Sequence, residues 1–220
     1  MKKILFGLLL MIPMVVLGQS ANNPVIITWQ ANNYFPANYQ GKAMVTPNSV
    51  IVASVELIQN GKLSDLTNAN IQWYVNGTPT DGGVGFKTTS FIAKPETDGY
   101  VTIKASVTIG SSEYDNSYRV QTAQPVIIIN TQNSENSVPA GSQSTISASP
   151  YFFNISSLDD LSFFWSVNGQ TVTGNNNQVT INVGTPSSGY QGSIQISVTA
   201  QNKNFQYELV KQTTNLSITQ

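Results

Sequence analysis

One short stretch of this 220-residue chain occurs twice, and no other feature restricts its fold as strongly. Asn70-Ile-Gln-Trp-Tyr-Val-Asn-Gly77 aligns with Ser162-Phe-Phe-Trp-Ser-Val-Asn-Gly169. Trp73 and Trp165, Val75 and Val167, Asn76 and Asn168, and Gly77 and Gly169 are each 92 positions apart, as are Pro47 and Pro139. Further on, Pro95 and Pro186 are 91 apart, and so are Ile103, Ala105 and Val107 against Ile194, Ile196 and Val198. Upstream, Pro24-Val-Ile-Ile27 returns as Pro125-Val-Ile-Ile128. Matches in a fixed order imply a duplicated unit. They predict two tandem domains, 22–123 and 124–220, joined by a very short linker near Gln124-Pro125.

The local pattern is that of strands. Side chains of a strand alternate between its two faces, so a half-buried strand has a period of two. Val101, Ile103, Ala105, Val107 and Ile109 alternate with polar residues, as do Ile194, Ile196, Val198 and Ala200. Val179, Ile181 and Val183 form another such face, and Ile51, Ala53, Val55 and Leu57 a fourth. Turn chemistry falls between them, at Gln59-Asn-Gly-Lys62, Thr80-Asp-Gly-Gly83, Asp98-Gly99, Gly174-Asn175 and Ser188-Gly189. No amphipathic helix is apparent. A unit of about 100 residues with many short strands has the size and rhythm of an immunoglobulin-type sandwich. The expected fold class is all-β: two tandem immunoglobulin-like Greek-key β-sandwiches after an N-terminal signal peptide.

The signal peptide is expected over residues 1–18. Lys2 and Lys3 form a basic start, Ile4 to Leu17 an apolar stretch interrupted by Pro13, and Val16 and Gly18 the small-residue positions before a cut. The apolar run is short for a bilayer span, which needs about 20 residues. No later segment is long and apolar enough, so no membrane span is expected after cleavage. The expected location is extracellular or at the cell surface, after export.

What the chain lacks narrows its chemistry. It has no histidine and no cysteine. That excludes a Ser-His-Asp triad, a thiol nucleophile, disulfides and the ordinary zinc sites. Without Lys2 and Lys3, eight basic residues face eleven acidic ones, and no Lys or Arg cluster remains. The footprint of a nucleic-acid binder is therefore missing. The eleven carboxylates are scattered, so paired acids of the glycosidase kind are not expected. The chain is read as a non-enzyme with no cofactor and no metal site. Asp159-Asp160, Glu96 with Asp98, and Glu113 with Asp115 and Asn116 are the oxygen-rich places a calcium ion would use. The two latter pairs are expected in turns.

Trp73 and Trp165 share strand parity with apolar neighbours, so each is expected to point between sheets as a structural core residue. The Asn-Gly that follows each one is the strongest short hairpin signal, because a type I′ turn needs φ > 0 at both positions. This Trp-x-Val-Asn-Gly hairpin is followed by a Pro-x-x-x-Gly-Tyr or Pro-x-x-Gly-Tyr corner and an alternating strand. It resembles bacterial surface Ig-like and PKD-like domains across nearly the whole mature chain. PKD-like domains usually carry Gly-Asp-Gly after the Trp strand, where this chain has Thr80-Asp-Gly-Gly83 and Thr173-Gly-Asn-Asn176. The opening Ile27-Thr-Trp-Gln-Ala-Asn-Asn-Tyr-Phe-Pro36 is similar to segments of exported Ig-like proteins from candidate-phylum bacteria. The resemblance implies an envelope compartment and no enzymatic activity.

Two aromatic groups remain as candidate contacts for a ligand or partner: Tyr34, Phe35 and Tyr39 with Trp29, and Tyr151 with Phe152 and Phe153. Exposed rings stack on sugars and anchor protein partners. The same rings would also serve to cover the ends of the sandwiches or fill the contact between them. Asn32 to Lys42 is an insertion relative to the second copy, and its loop composition marks it as a functional loop. The function expected is that of a surface structural, adhesive or protein-binding module, with a carbohydrate-binding module or pilus-associated subunit as the alternative. Its partner would be a protein or glycan at the cell surface. Asn76, Asn154 and Asn215 begin Asn-x-Ser/Thr sequons.

Overall fold

The computed structural model describes residues 24–131, 136–185 and 192–219. The signal segment 1–18, Pro186 and the Ser188-Gly189 turn lie outside them. The described residues form two β-sandwiches in succession, with a single 3₁₀ turn, Leu158–Asp160, and no α-helix.

The first sandwich contains β1 (Val25–Asn32), β2 (Val50–Gln59), β3 (Lys62–Leu63), β4 (Asn70–Val75), β5 (Thr78–Val84), β6 (Thr88–Ile92), β7 (Tyr100–Ile109) and β8 (Ser112–Gln121). In one sheet β2 is flanked by β1 and β6, with β3 paired to its end; the facing sheet runs β5-β4-β7-β8. The second contains β9 (Val126–Asn130), β10 (Ser137–Pro139), β11 (Gln143–Tyr151), β12 (Leu161–Val167), β13 (Gln170–Val172), β14 (Gln178–Asn182), β15 (Ser193–Asn202) and β16 (Leu209–Thr219). Its sheets run β14-β11-β9 and β10-β16-β15-β12-β13. The strand orders correspond. The parallel pairing of β10 with β16 shrinks in the first sandwich to a single parallel bridge, Val45 to Thr122. The two prolines at the shared offset, Pro47 and Pro139, fall at that same place.

Alternation drives each sandwich together. Val101, Ile103, Ala105 and Val107 of β7 are buried against Ile51, Ala53, Val55 and Leu57 of β2, around Trp73. Ile196, Val198 and Ala200 of β15 meet Val179, Ile181 and Ile146 around Trp165. Both indoles are deeply buried and each satisfies its N–H on the chain that crosses to the other sheet. Trp73 Nε1 donates to the Phe86 carbonyl at 2.9 Å, and Trp165 Nε1 to the Asn176 carbonyl at 3.3 Å.

The repeated asparagine does more than make a turn. Asn76-Gly77 and Asn168-Gly169 have the paired positive φ of a type I′ hairpin. The Asn76 Oδ1 also accepts from the Thr102 N–H at 2.8 Å, and Asn168 Oδ1 from the Gln195 N–H at 2.9 Å. Each asparagine thereby continues the ladder onto the neighbouring strand after its own strand has ended.

Two local expectations are corrected. Thr80 to Gly83 is no turn but part of β5, which pairs with β4 through a register shift at Trp73/Tyr74. Gly82 permits this: a Cβ there would lie 2.7 Å from the Ile71 carbonyl oxygen. Glu113 and Asp115 are likewise on β8, because Gly110 (φ 61°) closes the preceding hairpin before them. Glu113 accepts from the Ser106 hydroxyl at 2.6 Å, and Asp115 pairs with Lys104 at 3.2 Å.

Candidate functional site

The two aromatic groups singled out in the sequence converge on the seam between the sandwiches. The chain leaving β1 forms an antiparallel bridge, Tyr34 to Phe153, with the chain leaving β11. Tyr34 N–H donates to the Phe153 carbonyl at 2.8 Å, and Phe152 N–H to the Tyr34 carbonyl at 2.6 Å. The ring of Tyr39 lies 5.7 Å from Tyr151 and 5.5 Å from Phe152, both edge-on, and 5.4 Å from Phe35. Gly41 lets Tyr39 fold back in this way, since a Cβ there would strike its hydroxyl. Trp29 stands apart, with Lys42 Nζ 3.3 Å from its ring centre. Burial shifts two loop groups: it raises the Tyr34 phenol above its ordinary value and lowers the Lys42 ammonium below its own. Trp73 and Trp165 take no part in the seam; each sits in its own core.

Beneath the rings is a polar network that the sequence did not announce. Phe152 has φ 64°, a left-handed conformation that costs a bulky residue about 1–3 kcal/mol and persists only where its surroundings impose it. Here its carbonyl accepts from Thr46 Oγ1 at 3.1 Å and Asn33 Nδ2 at 3.4 Å, both from the first sandwich. Next to it, Asn154 Nδ2 donates to the Pro47 carbonyl at 3.0 Å and to Glu208 at 2.6 Å. The Glu208 carboxylate, buried without a cation beside it among the described residues, also accepts from the Asn154 N–H and from Asn202 Nδ2 at 2.7 Å. The Asn202 amide donates as well to the Asn154 carbonyl. A buried carboxylate surrounded by N–H donors is stabilised as an acceptor and fixes whatever donates to it.

Two hollows open along the seam. One, of about 640 Å³, is walled by Asn32, Asn33, Tyr34, Phe35, Asn48 and Ser156 among others. The other, of about 360 Å³, lies between Pro47, Asn48, Pro125, Phe205, Tyr207 and Leu209. Asn48, held at φ 69° in the turn before β2, lines both. Tyr207 is 94% exposed, standing edge-on to Phe205 at 6.1 Å.

Sequence reasoning missed Thr46, Asn202, Phe205, Tyr207 and Glu208, and it saw Asn154 only as a sequon. A signal was available. The β7–β8 hairpin turns through Gly110-Ser111, whereas β15–β16 needs residues 203–208. The second copy thus carries its own insertion, which delivers Phe205, Tyr207 and Glu208 to the seam. The other oxygen-rich places hold no shared cluster: Asp160 accepts from the Ser156 and Ser157 N–H groups at 3.1 Å, and Asp98 pairs with Arg119. Among the described residues no three acidic side chains gather.

No protein-family model matches the chain, and no curated protein matches its sequence. Solved structures with similar folds do. The three N-terminal domains of the bacteriophage RB49 Highly Immunogenic Outer Capsid protein (Hoc) are 10% identical, over 88% of this chain and 59% of that one, with a TM-score of 0.42. This chain therefore spans about three-fifths of that structure's length. The fibronectin(III)-like modules of Clostridium thermocellum CbhA are 12% identical over 88% of this chain and 93% of theirs, with a TM-score of 0.30. The Bacteroides ovatus mixed-linkage glucan utilization locus protein SGBP-B, solved with a mixed-linkage heptasaccharide, is 13% identical over 91% of this chain and 48% of that one, with a TM-score of 0.28. The sandwich assignment rests on strand order and register. Among the described residues no helix is long and apolar enough to cross a membrane.

Proposed function

We propose that this chain is an exported, non-catalytic surface protein of the bacterial Ig-like and PKD-like kind. Its two modules, 22–123 and 124–220, are held end to end as one stiff unit, and it acts as a structural or adhesive element by presenting the seam to a partner at the cell surface. The observation that supports this reading most is how the seam is built. Buried polar groups and a strained backbone at Phe152 fix one module on the other, while Phe35 and Tyr207 stay open to solvent. A chain selected only to link two domains has no need to hold a left-handed phenylalanine in place. One selected to present a fixed surface does.

The test uses the chain as made by its own cells. Protease treatment of intact cells should remove it, and purified, fluorescently labelled protein should bind the cell exterior. A Phe35→Ala/Tyr207→Ala double variant should bind at least tenfold more weakly with its unfolding transition unchanged. Deleting Asn22 to Gly41 is a poor probe, because it removes β1 and the buried Val25 and Ala31. A chain shielded from protease inside the cell, or a double variant that binds as the wild type does, would contradict the proposal.

A further inference from the structure

The seam's two hollows share a chemistry that points to one class of ligand. Among the described residues neither hollow is lined by Lys or Arg. The one carboxylate present, Glu208, already spends both oxygens on Asn154 and Asn202. An ionic ligand therefore meets no counter-charge, and a basic peptide meets no free acid. What the walls do offer is side-chain amides, from Asn32, Asn33, Asn48 and Gln124. An amide presents a donor and an acceptor side by side, a pattern that matches neighbouring hydroxyl groups.

One of these amides is incomplete. Asn33 is 7% exposed; its Nδ2 donates to the Met44 carbonyl at 2.6 Å, yet its Oδ1 has no partner among the described residues. A buried acceptor left unpaired costs free energy, but this oxygen is shut off from solvent, so Asn33 backs the wall and the ligand-facing amides are those of Asn32, Asn48 and Gln124. The rings complete the pattern. Tyr207 is almost wholly exposed on a loop, braced edge-on by Phe205, and Phe35 stands 37% exposed at the other hollow. An exposed flat ring attracts the C–H face of a sugar, and Tyr loses little conformational freedom in doing so.

We infer that the seam is a binding track for a neutral oligosaccharide, running from the Tyr207 ring past Asn48 to the amide-walled hollow at Asn32 and Phe35. The inference rests on the surface-module reading and names the ligand class for its exposed seam. Because Asn48 borders both hollows, a ligand that fills them is an oligomer and not a single sugar. The two sandwiches must keep their relative setting for the track to exist, which gives the network around Asn154 and Glu208 a role in binding.

The whole mature chain is titrated by calorimetry with cellohexaose, xylohexaose, mannohexaose and chitohexaose, and with heparin and polygalacturonate as charged comparisons. At least one neutral hexaose should bind, with its disaccharide at least tenfold weaker. Tyr207→Ala should weaken that binding at least tenfold, and Asn48→Gly, which preserves the left-handed backbone, severalfold. Tyr118→Ala, exposed on β8 and absent from both hollows, should leave it unchanged. Failure of all four hexaoses, equal binding by Tyr207→Ala, or stronger binding of the charged polymers would overturn the inference. The surface-module reading fails separately, by protection from protease on intact cells. Cell-surface binding that depends on Tyr207 without any hexaose binding would assign the seam to a protein partner and overturn the glycan.

Discussion

Replacing Asn154 by alanine tests how firmly the two sandwiches are joined. The side chain donates to the Pro47 carbonyl at 3.0 Å and to the Glu208 carboxylate at 2.6 Å. A hydrogen bond between neutral groups contributes about 0.5–1.5 kcal/mol and one to a charged group about 1.5–3 kcal/mol. Losing both gives about 2–4.5 kcal/mol. Glu208 keeps the Asn154 N–H and the Asn202 amide, so its charge is not left bare and the cost should not exceed this range. With a urea slope of about 2 kcal/mol/M, the midpoint should fall by about 1–2 M. Tryptophan fluorescence follows the transition in both halves, since Trp29 and Trp73 report the first and Trp165 the second. Asn130→Ala is the control: its amide bonds lie on an exposed strand, and the change should stay within about 0.5 kcal/mol. An Asn154 variant as stable as that control would show that the network joins the sandwiches in geometry alone.

Three further outcomes rest on packing and hydrogen bonds elsewhere in the two sandwiches. Trp73→Ala and Trp165→Ala should each cost about 3–5 kcal/mol by denaturant titration, because both rings are buried and each leaves a carbonyl without its donor. Gly174→Ala should destabilise the second sandwich by about 1–3 kcal/mol, since its Cβ would lie 2.5 Å from Trp165 Cδ1 and 2.7 Å from the Gln178 carbonyl oxygen; an unchanged midpoint would refute the close packing. Asp65 accepts from the Thr67 hydroxyl and N–H, which hold its carboxyl below the ordinary 3.8. Its stabilising share is present above that unfolded value and disappears as pH falls through the lower folded one. Wild type and Asp65→Asn should therefore differ in stability at neutral pH and converge in strong acid; a gap that widened on acidification would reverse the sign.

The fold was legible in the sequence because its causes are local. Alternating faces at Val101 to Val107 and Ile194 to Ala200 specify strands, and Asn76-Gly77 and Asn168-Gly169 specify their hairpins. The repeat carried these signals twice. The turn expected at Thr80 to Gly83 failed because Gly82 there serves close strand approach and not reversal. The seam was half legible. Its rings could be named from composition, as Tyr34, Phe35, Tyr39 and Tyr151, since aromatic clusters in loops stand out. Its network could not, because Thr46, Asn154 and Glu208 have ordinary identities and acquire their roles only when segments 100 residues or so apart are brought together. Two places where the copies depart from each other, Asn32 to Lys42 in the first and 203–208 in the second, supply part of the seam; Thr46, Pro47 and Tyr151 to Asn154 supply the rest. Departure from the internal repeat was thus a guide to part of the site.

The stiffness of the joint is open to direct measurement by ¹⁵N NMR relaxation on the mature chain in solution. If the Tyr34–Phe153 bridge and the Asn154–Glu208 network hold as described, amides of β7 and of β15 should report one common rotational correlation time, as befits a single elongated body. Two distinct, shorter times, each suited to a sandwich tumbling on its own tether, would contradict the account.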